Sequence, residues 1–308
     1  MKIEKKNLPE SVYSRLKNIA LAKNRPTQEV LRYYAMERFL YRLSVSQHKR
    51  SFYLKGGLML MVWDPSSHRA TVDIDLLAKA NNSIENISQI LKEICSYPVL
   101  QDGIEFNATD LILTESQIET EYSGLSARFS AQLHTAKLPL RIDLGFCDKI
   151  FPKPADIDYP ALLDFPSPKL QGYTPETMIA EKLDAMVKLG LANSRLKDFY
   201  DIRTILMQFQ IKPEKIAPVI REVFRNRKTT VREIPKAFSE AFYNTPKTLE
   251  RWAALLKGIG HDPIPFEKVI LEIRDFFLPI LIENNALSES IKNATDLGRP
   301  IASAPQKD

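Results

Sequence analysis

Apolar positions change their spacing several times along the chain, and each change marks an element. Val12, Leu16, Ile19 and Ala20 recur at helical intervals over residues 8–22, with Pro9 near the start. After the Arg25-Pro26-Thr27 turn, the spacing predicts a longer helix from Gln28 to about Ser46, with Val30, Leu31, Tyr34, Phe39, Leu40 and Leu43 inward. Arg32, Arg38 and Arg42 interleave with them and read as a solvated basic face. From Phe52 to Leu77 the pattern becomes a short strand ending in Lys55-Gly56-Gly57, an apolar helix from Leu58 to Trp63, a turn at Asp64-Pro65-Ser66-Ser67, and a second strand. Alternation along that strand puts Asp73 and Asp75 on one face and Val72, Ile74 and Leu76 toward the core.

Residues 83–97 read as an amphipathic helix, 104–115 and 118–134 as antiparallel strands, and 138–148 as a strand with Asp143 between Ile142 and Leu144. Prolines 152, 154, 160, 166, 168 and 175 then block helix and favour extended chain. Thr174-Pro175-Glu176 has the form of a helix start, with Met178, Ile179, Leu183, Met186 and Val187 inward. A second helix follows over 194–209, and 213–224, 234–243, 248–256 and 266–281 are also helical by pattern. Periodicity is lost after Ser288, which predicts a mobile tail. The division expected is 1–47 (helices), 48–172 (mixed α and β), 173–287 (helical) and 288–308 (tail), an α+β fold.

Bulk properties narrow the class. A chain of 308 residues can bury a substantial core. Its net charge of +5 permits a nucleotide or nucleic-acid partner without demanding one. Cys95 and Cys147 make neither a disulfide framework nor a cysteine-rich zinc site, and the four histidines have no metal spacing. No run reaches the length of a membrane span and MKIEKKNLPESV has no apolar centre, so a cytoplasmic location is expected. Arg221, Arg225, Arg227, Lys228 and Arg232 form the densest basic stretch, readable as a phosphate-backbone surface or, more simply, as a solvated loop.

The candidate chemistry centres on the paired acids. Two neighbouring carboxylates repel unless a cation neutralises them, and hard oxygen ligands favour Mg²⁺ or Mn²⁺. The glycine pair sixteen residues before Asp73 (73 − 57 = 16) gives a turn without Cβ obstruction. Asp-x-Asp alone also describes a solvated strand end; the glycine turn upstream shifts the balance toward a metal and a phosphate cradle. Asp143 reads as a third metal-facing carboxylate, as a partner of Arg128 or Arg141, or as an exposed strand end. Asp198 and Asp201, three apart, share a helix side. With Glu181, Lys182 and Asp184 they read, taken alone, as an ordinary solvated face.

Lys55-Gly56-Gly57 with Leu60, then Arg69-x-Thr71-x-Asp73-Ile74-Asp75, resembles the AbiEii/AbiGii toxin family of the polymerase-beta-like superfamily. The likeness continues in Tyr122-x-Gly124-Leu125-x-Ala127-Arg128, in Ile179-x-Glu181-Lys182-Leu183-x-Ala185, and in Arg195-x-Lys197-Asp198-x-Tyr200-Asp201. It departs at Cys147, where the family shows glycine. The resemblance implies a polymerase-beta-like nucleotidyltransferase core over 48–172 and a helical region completing the active site. It implies a metal on Asp73, Asp75 and Asp143, and nucleotide contacts from Lys55, Gly56, Gly57, Arg69 and Thr71. Catalytic roles fall to Asp73, Asp75, Lys182, Asp198 and Asp201, with either Asp198 or Asp201 as the working acid. It further implies an NTP substrate such as GTP, an acceptor such as the tRNA 3′ end, a cognate antitoxin, and growth arrest. Two rival readings are an NTP-binding toxin without transfer activity and a nucleic-acid-binding regulator, although no helix-turn-helix stands out.

Overall fold

A computed structural model describes residues 7–64, 69–119, 122–146, 150–231 and 233–285. The expected turn at Pro65-Ser66-Ser67, His68, Cys147, Arg232 and the tail from Ser288 lie outside them. Contacts divide the chain into two compact units, 1–174 and 175–308.

In the first unit, Asn7 accepts from the Glu10 N–H and Pro9 fills the first turn, which starts α1 (Leu8–Ala22). Helix α2 (Thr27–Val45) corrects the sequence reading. Arg38 and Arg42 are not a solvated face but are buried, as is nearly every side chain from Val30 to Ser44. Each buried cation has a carboxylate: Arg38 meets Glu37 at 2.6 Å, and Arg42 grips both oxygens of Asp102 at 2.8 and 3.1 Å. Arg38 also donates to the Pro166 carbonyl, and Glu37 accepts from the Leu162 N–H, so α2 holds the proline-rich segment down.

Seven strands form one mixed sheet: β1 (Phe52–Lys55), β2 (Ile74–Ala78), β3 (Ile104–Glu119), β4 (Tyr122–Leu133), β5 (Ala136–Phe146), β6 (Ala155–Asp158) and β7 (Lys169–Gly172). Their order is β3-β4-β5-β2-β1-β7-β6, with β2/β5 and β1/β7 parallel and the other pairs antiparallel. Two strands thus sit within the proline-rich segment, their residues lying between the prolines. Helix α3 (Gly57–Trp63) packs on β1 and β2, while α4 (Ile84–Cys95) packs on β3. Leu138, Leu140, Ile142 and Leu144 of β5 and Ile74 and Leu76 of β2 supply one apolar sheet face. Val72 does not join them. It precedes the start of β2 and is 49 % exposed.

The second unit is helical: α5 (Pro175–Leu189), α6 (Leu196–Phe209), α7 (Pro213–Asn226), α8 (Glu240–Tyr243), α9 (Pro246–Ile259) and α10 (Phe266–Asn285). The helix expected over 234–243 is broken into a turn at Lys236–Phe238 and the short α8. Pro235 disfavours helix in the residue before it, and Ser239 is extended. Phe199, Phe242, Trp252 and Phe266 form the aromatic centre of this unit, with Trp252 and Phe266 ring centroids 4.7 Å apart. The Trp252 indole N–H donates to the Ile264 carbonyl at 2.7 Å.

Candidate active site

Strand register builds the first site. Lys55 pairs with Asp75, Asp75 with Asp143, and Asp143 with Ser126, so four neighbouring strands place these side chains in one row across the same face of the sheet. Adjacent strands run about 4.8 Å apart, which sets the two carboxylates side by side. Each is held differently. The Arg141 Nε donates to Asp143 Oδ1 at 2.9 Å and to the Ser126 hydroxyl at 3.1 Å. Of the alternatives open for Asp143, pairing with Arg141 is the one observed.

Asp75 leans the other way, over the glycine bend. Gly56 has φ +64°, and a Cβ there would lie 2.0 Å from Asp75 Oδ2. A Cβ on Gly57 would lie 2.8 Å from the Thr71 hydroxyl oxygen. Both glycines are therefore required by close approach, and the first also by its left-handed backbone. Tyr33 of α2 accepts from the Thr71 N–H at 2.9 Å, and burial raises the Tyr33 phenol above its ordinary pKa. The Lys55 ammonium lies 5.8 Å from the Tyr173 ring centroid. Lys55, Gly56, Gly57, Thr71, Asp75 and Asp143 thus come together. Asp73 stands half-buried, one residue ahead of β2, and Arg69 is nearly buried with its guanidinium on the Ala70 carbonyl at 3.3 Å.

The other predicted residues cluster within the second unit. Lys182 of α5 meets Asp198 and Asp201 of α6, the latter at 2.9 Å, and Arg195 Nε approaches Asp198 at 3.3 Å. Asp198 and Asp201 are buried, so the solvated-face reading is wrong for them. It is also wrong for Asp184, which is fully buried and bonded to Thr229 and Arg227, while Arg227 reaches Glu181 at 3.0 Å. Arg227 accordingly leaves the basic stretch to serve as an internal tie.

The family model for the nucleotidyl transferase AbiEii toxin, type IV toxin–antitoxin system, matches residues 38–272. The chain belongs to this family. Among solved structures it is similar to MenT4, a nucleotidyltransferase toxin of Mycobacterium tuberculosis, at 15 % identity, covering 89 % of this chain and 99 % of that one with a TM-score of 0.53. It is also similar to JHP933 from Helicobacter pylori, at 13 % identity over 88 % of this chain and 98 % of that one with a TM-score of 0.49. A comparison with curated proteins gave no match. The AbiEii family and the MenT4 likeness together show an α+β nucleotidyltransferase-type fold.

A divalent metal is implied by the AbiEii chemistry, and the residues bear on whether one fits. Among the described residues no group of three or more His, Cys, Asp or Glu is placed to hold a metal. The expected set of Asp73, Asp75 and Asp143 is therefore not a preassembled cage, since Asp143 is turned to Arg141 and Asp75 to Gly56. Two adjacent carboxylates do fit Mg²⁺, which is commonly bound by one or two carboxylates with the remaining positions filled by water and substrate phosphates. Residues that the sequence reading left out are Tyr33 and Ser126, which support Thr71 and Arg141. Ser126 was legible in principle from the alternation of β4, but Tyr33 lies 38 residues from Thr71 and left no local signal.

Proposed function

We propose that this AbiEii family member transfers a nucleotidyl group from an NTP to an acceptor hydroxyl in an Mg²⁺-dependent reaction. The observation that carries this reading is the register that sets Asp75 beside Asp143 on neighbouring strands, with Asp75 over the glycine bend. In the proposed reaction the hydroxyl oxygen bonds to the α-phosphorus, the bond to the β-phosphate bridge breaks, and pyrophosphate leaves. Asp75 and Asp143, with Asp73 beside them, would hold the ion, which when bound neutralises phosphate charge and favours the attacking oxygen. The backbone N–H groups of the Gly56-Gly57 bend would face the triphosphate, Thr71 and Arg69 would flank it, and Lys55 would balance its charge. Asp143, turned away from the bend, is the carboxylate assigned to take the hydroxyl proton. Lys182, with Asp198 and Asp201 to orient it, is assigned to charge on the leaving pyrophosphate.

The acceptor class to test first is RNA, the tRNA 3′ end above all, and a cognate antitoxin is the expected partner. The protein is incubated with each α-labelled NTP (GTP included), Mg²⁺ and total RNA, and the products are separated on a gel. Label should enter RNA, disappear with EDTA, and fall by about 100-fold or more in Asp75→Asn with an unchanged melting curve. Tight NTP binding with no label in any product would reduce the protein to a nucleotide-binding toxin.

A further inference from the structure

The sheet face that carries Asp75 and Asp143 continues past them. Two residues along from the Asp143–Ser126 pair, Arg141 of β5 and Arg128 of β4 are register partners, so both guanidinium groups leave that same face. Like charges directly opposite across a ladder repel. Arg128 is exposed and forms no ion pair with a described residue. Arg141 has a side chain 40 % exposed and uses its Nε on Asp143 and Ser126. The row extends onto β3, where Ile112 faces Arg128 and is 63 % exposed. Two adjacent guanidinium groups beside an exposed apolar side chain suit a nucleotide unit, with its charged phosphate and flat base.

Position gives this row its meaning. Across the row Lys55 and the glycine bend lie on the β1 side of the carboxylates and Ser126 on the β4 side, with Arg141 and Arg128 two residues further along β5 and β4. An in-line displacement brings the attacking hydroxyl to the side of phosphorus opposite the leaving group. We infer that Arg128 and Arg141 are positioning residues for the acceptor, holding a backbone phosphate of a nucleic-acid 3′ end on the flank of the carboxylates away from the glycine bend, with Ile112 against the neighbouring base. The inference rests on the nucleotidyltransferase reading and assigns the side from which the acceptor enters.

The test uses the full chain and a 5′-fluorescein single-stranded RNA, with binding followed by anisotropy at several salt concentrations without NTP. Arg128→Gln should weaken RNA binding about tenfold and lower the salt slope by about 1, and Arg128→Lys should restore most of that slope. In the label-transfer assay Arg128→Gln should raise the KM for RNA while leaving kcat and the KM for NTP unchanged. Arg141→Gln, whose Asp143 contact makes transfer a mixed readout, is judged on RNA binding alone. Unchanged RNA affinity and slope in both variants, no RNA binding by the parent protein, or a rise in NTP KM instead would each overturn the assignment. If the parent transfers no nucleotide yet Arg128→Gln still loses RNA affinity, the transfer reading fails and the phosphate contact stands.

Discussion

Asp75 and Gly56 fix each other, so at the scale of single residues the glycine is the sharper probe. Gly56→Ala would set a methyl 2.0 Å from Asp75 Oδ2 on a backbone at φ +64°. The expected cost is about 2 kcal/mol in stability and about a 100-fold loss of label transfer, because the carboxylate must move. A variant that keeps both its melting temperature and its activity would show that Asp75 does not need its present position. The juxtaposition of the glycine pair and Asp75 is suggested by sequence, because strand alternation and a glycine turn are local signals, whereas a role for Lys55 comes only with the family resemblance. Arg38 and Arg42 were not readable. Nothing near Arg42 announces that Asp102, 60 residues on, will enclose its charge, so a buried cation looks like a surface one.

Between elements, helix α2 clasps the proline-rich segment through Glu37 and Arg38. Burial outweighs the pull of Arg38 and the Leu162 N–H, and raises the Glu37 carboxyl from the 4.5 of a free glutamate to about 7. The folded state then holds this proton more tightly than the unfolded one. Its contribution is fully present below about pH 4.5 and is lost as pH rises to about 7, a fall of about 3 kcal/mol. Glu37→Gln should abolish that slope in urea melts taken across the window, although it leaves Arg38 less well paired and lowers the overall stability. Helices α5 and α6 are likewise joined by a buried ion pair. Lys182→Ala would leave Asp198 and Asp201 buried without their ammonium and should cost about 3–5 kcal/mol. Lys182→Arg keeps a cation on both carboxylates, so recovered stability with transfer still lost in that variant would separate a chemical role for Lys182 from a structural one. The helix pattern was legible for both elements, yet the burial of their charges was not, since it depends on a partner helix rather than on period. Strands β6 and β7 escaped for a related reason: proline density signals extended chain, and only pairing with β1 makes it sheet.

For the molecule as a whole, the chain divides at Thr174 and Pro175 into two compact units. The second unit draws its aromatic centre entirely from its own helices, so a chain of residues 175–285 should fold alone and melt cooperatively by circular dichroism. A gradual, featureless melt would show that it depends on the first unit. The chain has two tryptophans: Trp63 at the end of α3 in the first unit, and Trp252, hydrogen-bonded and almost fully enclosed, in the second. Each unit therefore carries its own intrinsic fluorophore. Replacing either indole with phenylalanine makes emission report on one half of the chain at a time, without a dye.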